Sequence, residues 1–189
     1  MPHNARPLIL EREAIELAIH SMSSPSAPGP DGLRPSHLKQ MIGTDFGVAR
    51  ESFISSLQAF ASVCTAGQIP LQVARFFFGA SLCALRKKDN GIRPIAVGCV
   101  LRRVIAKAVC STLRERTANL LSPIQLGIGV SDGATAAAHA ARRFLSACER
   151  SEGFLKLDFK NAFNTIERNK VLTAVYEHFP ELAHYVSSS

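Results

Sequence analysis

A chain of 189 residues that is 47% hydrophobic and 20% charged can bury a sizeable core, and it has the balance of a globular rather than a disordered protein. No run reaches the eighteen or so apolar residues that span a bilayer, and the opening Met1-Pro2-His3-Asn4-Ala5-Arg6 lacks the apolar stretch of a secretory signal, so no membrane partner is expected. The net charge of +7 is localised: nine basic residues lie between Arg86 and Arg116 against Asp89 and Glu115, and the rest of the chain is neutral. Such a cluster is either the footprint of a polyanionic partner or a solvated helix face.

In chain order, Ile15, Ala18, Ile19 and Met22 recur at helical spacing, and the proline- and glycine-rich stretch Ser23 to Gly32 then forbids regular structure. A second helix is predicted through Phe53, Leu57, Phe60, Ala61 and Cys64, ending near Gly67 and Pro70. Phe76 to Leu85, bracketed by Arg75 and Arg86, reads as a buried strand, and Ile92 to Val100 as its partner. Lys88-Asp89-Asn90-Gly91 between them carries the Asn-Gly signal of a β-hairpin, with basic residues around its tip. Leu101, Ile105, Ala108, Val109 and Thr112 return to helical spacing, with Arg102, Arg103 and Lys107 off that stripe, facing a ligand or water.

After the turn-rich Ser122 to Gly133, an alanine-rich helix is marked by Ala134, Ala137, Ala138, Ala141, Leu145 and Cys148, with a thin, closely packing face. Phe154 to Phe159 reads as a short strand. Val171, Leu172, Val175 and Phe179 mark a last helix, with Asn164 and Glu167 suggesting its capped start. The pattern is α+β. Cys64, Cys83, Cys99, Cys110 and Cys148 are an odd, unpatterned set, read as buried thiols in an intracellular, reducing compartment.

Several motifs fail. Gly127-x-Gly129-x-x-x-Gly133 is one residue too long for a dinucleotide fingerprint, no phosphate loop of the ATPase kind is present, and His178 and His184 lack further zinc ligands. Phe154-Leu155-Lys156-Leu157-Asp158-Phe159 ends an apolar run on an acid. That acid is either the turn residue of an ordinary αβ unit or an oxygen ligand for a hard metal such as magnesium.

Four blocks in order resemble the front of a reverse transcriptase: Pro28-Gly29-Pro30-Asp31-Gly32; Arg86-Lys87-Lys88 with Arg93-Pro94-Ile95; Gln125-x-Gly127; and Asp158-Phe159-Lys160-Asn161-Ala162-Phe163. The Ala27-to-Gly32 opening resembles the non-LTR retrotransposon (LINE-like) branch, and the similarity spans about residues 20 to 180. It implies a truncated right-hand polymerase fold: fingers over 1–150, including the basic hairpin near 76–100, and the start of the palm, with its first strand and helix, over 151–189. It further implies RNA-directed DNA polymerase chemistry, in which a primer 3′-hydroxyl attacks a dNTP with two Mg2+ ions at the reacting phosphate.

By the same resemblance Asp158 is the first metal-binding, catalytic aspartate, and the Phe159 backbone carbonyl adds a second oxygen to the metal. Lys87 and Arg93 hold the triphosphate; Asn161 and Ala162 line it through their backbone; Phe163 is the steric gate against a ribose 2′-hydroxyl. Arg102, Arg103 and Lys107 meet template phosphates or form a solvated face. The implied partners are an RNA template, a DNA primer and dNTP, and the nucleus is a compatible location. Ile128 stands where the family usually has phenylalanine, and Asn164 where aspartate is common. The family also needs a Y/F-x-D-D block, and this chain has no Asp-Asp pair, so the chain alone is expected to be inactive. The other readings are a non-catalytic nucleic-acid-binding remnant and an RNA-templated RNA polymerase, the latter disfavoured by the bulk of Phe163.

Overall fold

The structure is a computed structural model that describes residues 5–88, 90–159 and 162–188, with the Phe163 side chain outside that description. It is a mixed structure of helices and one two-stranded sheet, divided into two compact units: Met1–Ser111 with Arg168–Ser189, and Thr112–Glu167.

The first unit holds most of the buried side chains. Helix α1 (Arg12–His20) carries Glu13 in its first turn, where the helix dipole favours an acid. It buries Ile15, Ala18 and Ile19, with Met22 just beyond, as the spacing predicts. The Ser23–Gly32 stretch is indeed without helix or strand. Helix α2 (Pro35–Met41) starts on a proline, which costs nothing there because that N–H has no helical partner.

Helix α3 (Gly47–Thr65) buries Ile54, Leu57, Ala61 and Cys64, so its stripe is centred on Ile54, with Phe53 and Phe60 half-buried at its margins. Four side chains tie α1 to α3. Arg12 bonds Glu16 (3.0 Å) and Glu51 (2.6 Å), and Arg50 bonds Glu16 (2.8 Å) and Glu51 (2.7 Å). The chain leaves α3 at Gly67, whose φ of +67° suits glycine, and an added Cβ would also stand 2.7 Å from the His184 carbonyl oxygen.

The segment read as one buried strand divides. Leu71–Phe77 is helix α4, and strand β1 runs Ala80–Arg86. Only Phe77 of that segment is buried, edge-on to Phe60 at 5.5 Å, while Leu82 is 77% exposed. A short apolar run cannot tell helix from strand by periodicity, and a two-stranded hairpin has nothing on either face to bury it.

The hairpin itself forms. Strand β2 (Ile92–Gly98) pairs antiparallel with β1, Arg86 opposite Ile92 and Leu85 opposite Arg93. The Lys87 N–H donates to the Gly91 carbonyl at 2.7 Å, the Asn90 N–H to the Lys87 carbonyl at 3.2 Å, and Asn90 takes φ +62°, the left-handed region that asparagine tolerates.

Helix α5 (Val100–Thr112) buries Val100, Val104, Ile105, Ala108 and Val109, leaving Leu101 half-buried and Thr112 exposed. Near the C-terminus, α9 (Arg168–His178) is followed by a 3-10 turn and α10 (Ala183–Ser188), which buries Ala183 and Tyr185. Burial pushes the Cys64 thiol and the Tyr185 hydroxyl up to about 12 each.

The second unit contains α6 (Arg114–Leu121), α7 (Gly133–Ala147) and the single turn α8 (Ala162–Thr165). Three expectations are corrected. The alanine face of α7 is not closely packed: Ala134, Ala137 and Ala138 are exposed, with no apolar surface over them among the described residues, and Ala141 is only half-buried. Residues 152–159 form no strand, since no strand pairs with them among the described residues. Asn164 does not cap the last helix; it sits within α8, and α9 begins only at Arg168. The five cysteines are free, but only Cys64 and Cys99 are buried; Cys83 and Cys110 are exposed, one on the uncovered hairpin and one off the buried stripe of α5.

Candidate nucleic-acid and nucleotide interface

The hairpin register explains how its basic residues meet. Side chains alternate between faces, and cross-strand partners share one. Leu85 and Arg93 are partners, and Lys87 follows Leu85 by two, so Lys87 and Arg93 belong to the same face. Together with Leu85, Arg86 and Lys88 they line a concavity of about 510 Å3 with no carboxylate among the described residues of its lining; Asp89, next to Lys88 in the sequence, lies outside the described residues. All four basic side chains are exposed, and Arg86 is steadied by a 2.9 Å bond from Nη2 to Asn90 Oδ1. An anion entering beside these four cations would relieve their mutual repulsion, and an arginine can grip a phosphate through two parallel hydrogen bonds.

The Pro28–Gly32 loop lies against the start of α5. Gly29 donates its N–H to Leu33 O at 3.0 Å, and Asp31 Oδ1 accepts from the Leu33 N–H at 3.0 Å. The Cys99 thiol points to Asp31 Oδ2 at 3.7 Å. A Cβ on Gly29 would stand 3.0 Å from the Cys99 Cα, so glycine permits this close approach. The three cations of α5 are not equivalent. Arg102 donates from Nη1 to the Phe78 carbonyl at 2.6 Å and is half-buried, which ties α5 to the end of α4. Arg103 donates to the Ala27 carbonyl at 3.0 Å, and Lys107 is exposed.

In the second unit, the Gln125 side chain accepts the Gly127 N–H at 2.7 Å, so the Gln-x-Gly block is a self-closed turn. Beyond it, Glu149 and Glu152 close a turn that leads into residues 153–159. There Leu157 is 65% and Phe159 72% exposed, and Asp158 is exposed between them. Ala162 opens α8 and is exposed. Asn161, and the side chain of Phe163, lie outside the described residues.

Among the described residues no three His, Cys, Asp or Glu side chains gather to hold a metal ion. Asp158 therefore offers one carboxylate, which cannot by itself complete the oxygen cage that magnesium demands. No helix among the described residues is long and apolar enough to cross a membrane.

Two features escape the sequence reading. An apolar hollow of about 610 Å3 is lined by Phe60, Val73, Phe76, Phe77 and Leu101, with Asp31 and Arg75 at its wall. A smaller one, about 260 Å3, is lined by Met22, Ser23, Ser26, Arg103 and Lys107. No sequence signal marks the first. The second was hinted at only by the basic pair spaced four apart, and the loop serines carry no motif. No protein-family model matches the chain, and no curated protein matches it either.

Proposed function

We propose that the chain is part of an RNA-directed DNA polymerase of the non-LTR retroelement kind, contributing the fingers over 1–150 and the first palm strand and helix over 151–189. The observation that carries this reading is the hairpin hollow. Lys87 and Arg93, which the resemblance assigns to a triphosphate, share one face and line one concavity with Arg86 and Lys88. Four cations there suit the charge of a nucleoside triphosphate or a nucleic-acid backbone.

In this reading Asp158 and the Phe159 carbonyl are the chain's contribution to a site for two Mg2+ ions in the complete enzyme. Asn161, Ala162 and Phe163 would border the nucleotide. RNA template, DNA primer and dNTP are the partners, and a reducing intracellular compartment, the nucleus included, suits five free cysteines. A second reading is a nucleic-acid-binding remnant without catalysis, for which the exposed basic residues of the hairpin would suffice.

The test is binding, not turnover. The purified chain should bind dNTP and primed RNA without extending the primer, and Lys87→Ala with Arg93→Ala should weaken dNTP binding by about tenfold or more, the scale of a charge-assisted hydrogen bond. Equal loss of affinity for dNTP and for an uncharged nucleoside would remove the triphosphate assignment. Binding of primed RNA with none of dNTP would select the remnant reading. Failure to bind either ligand would sink both readings.

A further inference from the structure

The small hollow between the Ser23–Ala27 loop and α5 is a different kind of place from the hairpin. It is lined by Met22, Ser23, Ser26, Arg103 and Lys107, so its lining holds two cations, two hydroxyls and, among the described residues, no carboxylate. Arg103 and Lys107 stand four apart on α5, so they project from one face of the helix. Arg103 spends one donor on the Ala27 carbonyl at 3.0 Å. That bond fixes the guanidinium beside the loop and leaves its other N–H groups to bond a guest. Lys107 is exposed and has no ion-pair partner among the described residues. On the opposite wall, the Ser26 N–H donates to the Ser23 carbonyl at 3.1 Å, a turn that brings both serines to the same hollow. Arg102 takes no part: its guanidinium is bound to the Phe78 carbonyl.

We propose that this hollow is a seat for one phosphate group, and that its natural occupant is a single backbone phosphate of a bound RNA strand. The chemistry is specific. A phosphodiester carries one negative charge and two free oxygens. Arg103 and Lys107 supply the opposite charge, while the serine hydroxyls donate neutral hydrogen bonds that fix where the oxygens lie. A hollow of about 260 Å3 admits a phosphate but not a base with its sugar and phosphate together. The identity of the occupant rests on the polymerase reading; the phosphate seat itself does not.

The experiment uses the full chain and two probes, a single-stranded RNA oligonucleotide and inorganic phosphate at matched ionic strength. Lys107→Ala should weaken RNA binding about tenfold and lower the slope of log affinity against log salt by about 0.7, one phosphate contact on a single strand. Ser26→Ala should weaken binding several-fold with the slope unchanged, because a hydroxyl carries no charge. Arg102→Ala, if it folds, should leave the slope as it is. Inorganic phosphate should shift the backbone amide resonances of Ser23 and Ser26 and compete with RNA.

If Lys107→Ala flattens the slope while Ser26→Ala changes nothing, the charge acts diffusely and there is no seat. If RNA binding is lost on Lys87→Ala with Arg93→Ala but is indifferent to Lys107→Ala and Ser26→Ala, the seat is wrong and the polymerase reading survives. If phosphate shifts the serine amides but RNA binds nowhere, the seat stands and the polymerase reading falls.

Discussion

Residues of the first unit such as Ile15, Ile54, Val104 and Ile105 are sealed from solvent, whereas in the 112–167 unit the apolar side chains Ile124, Leu145, Leu155, Leu157 and Phe159 stand largely in water. Both regions carry apolar residues at regular spacing. The difference lies in what those faces meet. In the first unit α1 and α3 face each other, and a ring of ion pairs involving Arg12, Glu16, Arg50 and Glu51 sets their register. In the second, Phe144 of α7 meets Phe154 with ring centroids 6.4 Å apart, but Leu145, Leu155, Leu157 and Phe159 around that contact stay largely exposed. Periodicity says which face needs burial. It does not say what supplies the cover.

The strongest contrast should appear in thiol reactivity. Cys64 lies in the first unit, fully buried, and its thiol is pushed up to about 12 by loss of hydration. At pH 8 only about one in ten thousand such thiols is ionised, and the thiolate is the nucleophile. Cys148, at the end of α7, is half-buried, and Cys83 and Cys110 are exposed. A disulfide reagent should therefore consume Cys83 and Cys110 fast and Cys148 next, while Cys64 and Cys99 wait for unfolding. Cys83 and Cys110 belong to the first unit but lie outside its core, so the comparison rests on Cys64 and Cys148. Labelling of Cys64 at the rate of Cys148 in native conditions would mean that the core of the first unit is open to the reagent.

Alanine substitutions compare the regions in free energy. Ile105→Ala removes a side chain with no exposure and should cost about 2–5 kcal/mol. Leu157→Ala, at a side chain 65% exposed, should change stability by less than about 0.5 kcal/mol. Both are read from urea unfolding of the same chain. A large cost at Leu157 would mean that residues 152–159 are packed in solution.

How far the sequence carried each part follows the same division. The faces of α1 and α5 were legible to within a residue or two because each long, regular pattern packs against a neighbour from the same unit. The hairpin was legible because Asn90-Gly91 encodes the turn locally. The strand at 154–159 was not, because a strand needs a partner, and the pattern of one segment holds no information about whether a partner exists. Among the candidate site residues, the pairing of Lys87 with Arg93 could be anticipated, since alternation and register alone bring them together. The roles of Arg102 and Arg103 could not. Spacing placed them off the buried stripe, but the carbonyls of Phe78 and Ala27 that engage them come from distant loops.

The smallest effect concerns the ion-pair ring that joins α1 to α3. Hydrogen bonding from Arg12, with attraction from Arg12 and Arg50 beside it, holds the Glu51 carboxyl below its ordinary value. The folded state thus binds the Glu51 proton more weakly than the unfolded state does. By linkage, the contribution is fully present above the ordinary carboxylate range and is lost as pH falls through the lowered folded-state value. The pairs lie at the surface, so water and salt screen them and the contribution is modest. Glu51→Gln should lower the urea midpoint slightly at pH 7, and the two proteins should converge as the pH falls through the lowered folded-state value of the Glu51 carboxyl. Added salt should narrow the gap at pH 7 in the same way. Midpoint curves that stay parallel from neutral to acid pH would mean that the carboxyl's charge does not help to join the two helices. The uncharged amide at position 51 would then differ only in packing, and the acid sensitivity of the first unit would have to come from other carboxylates.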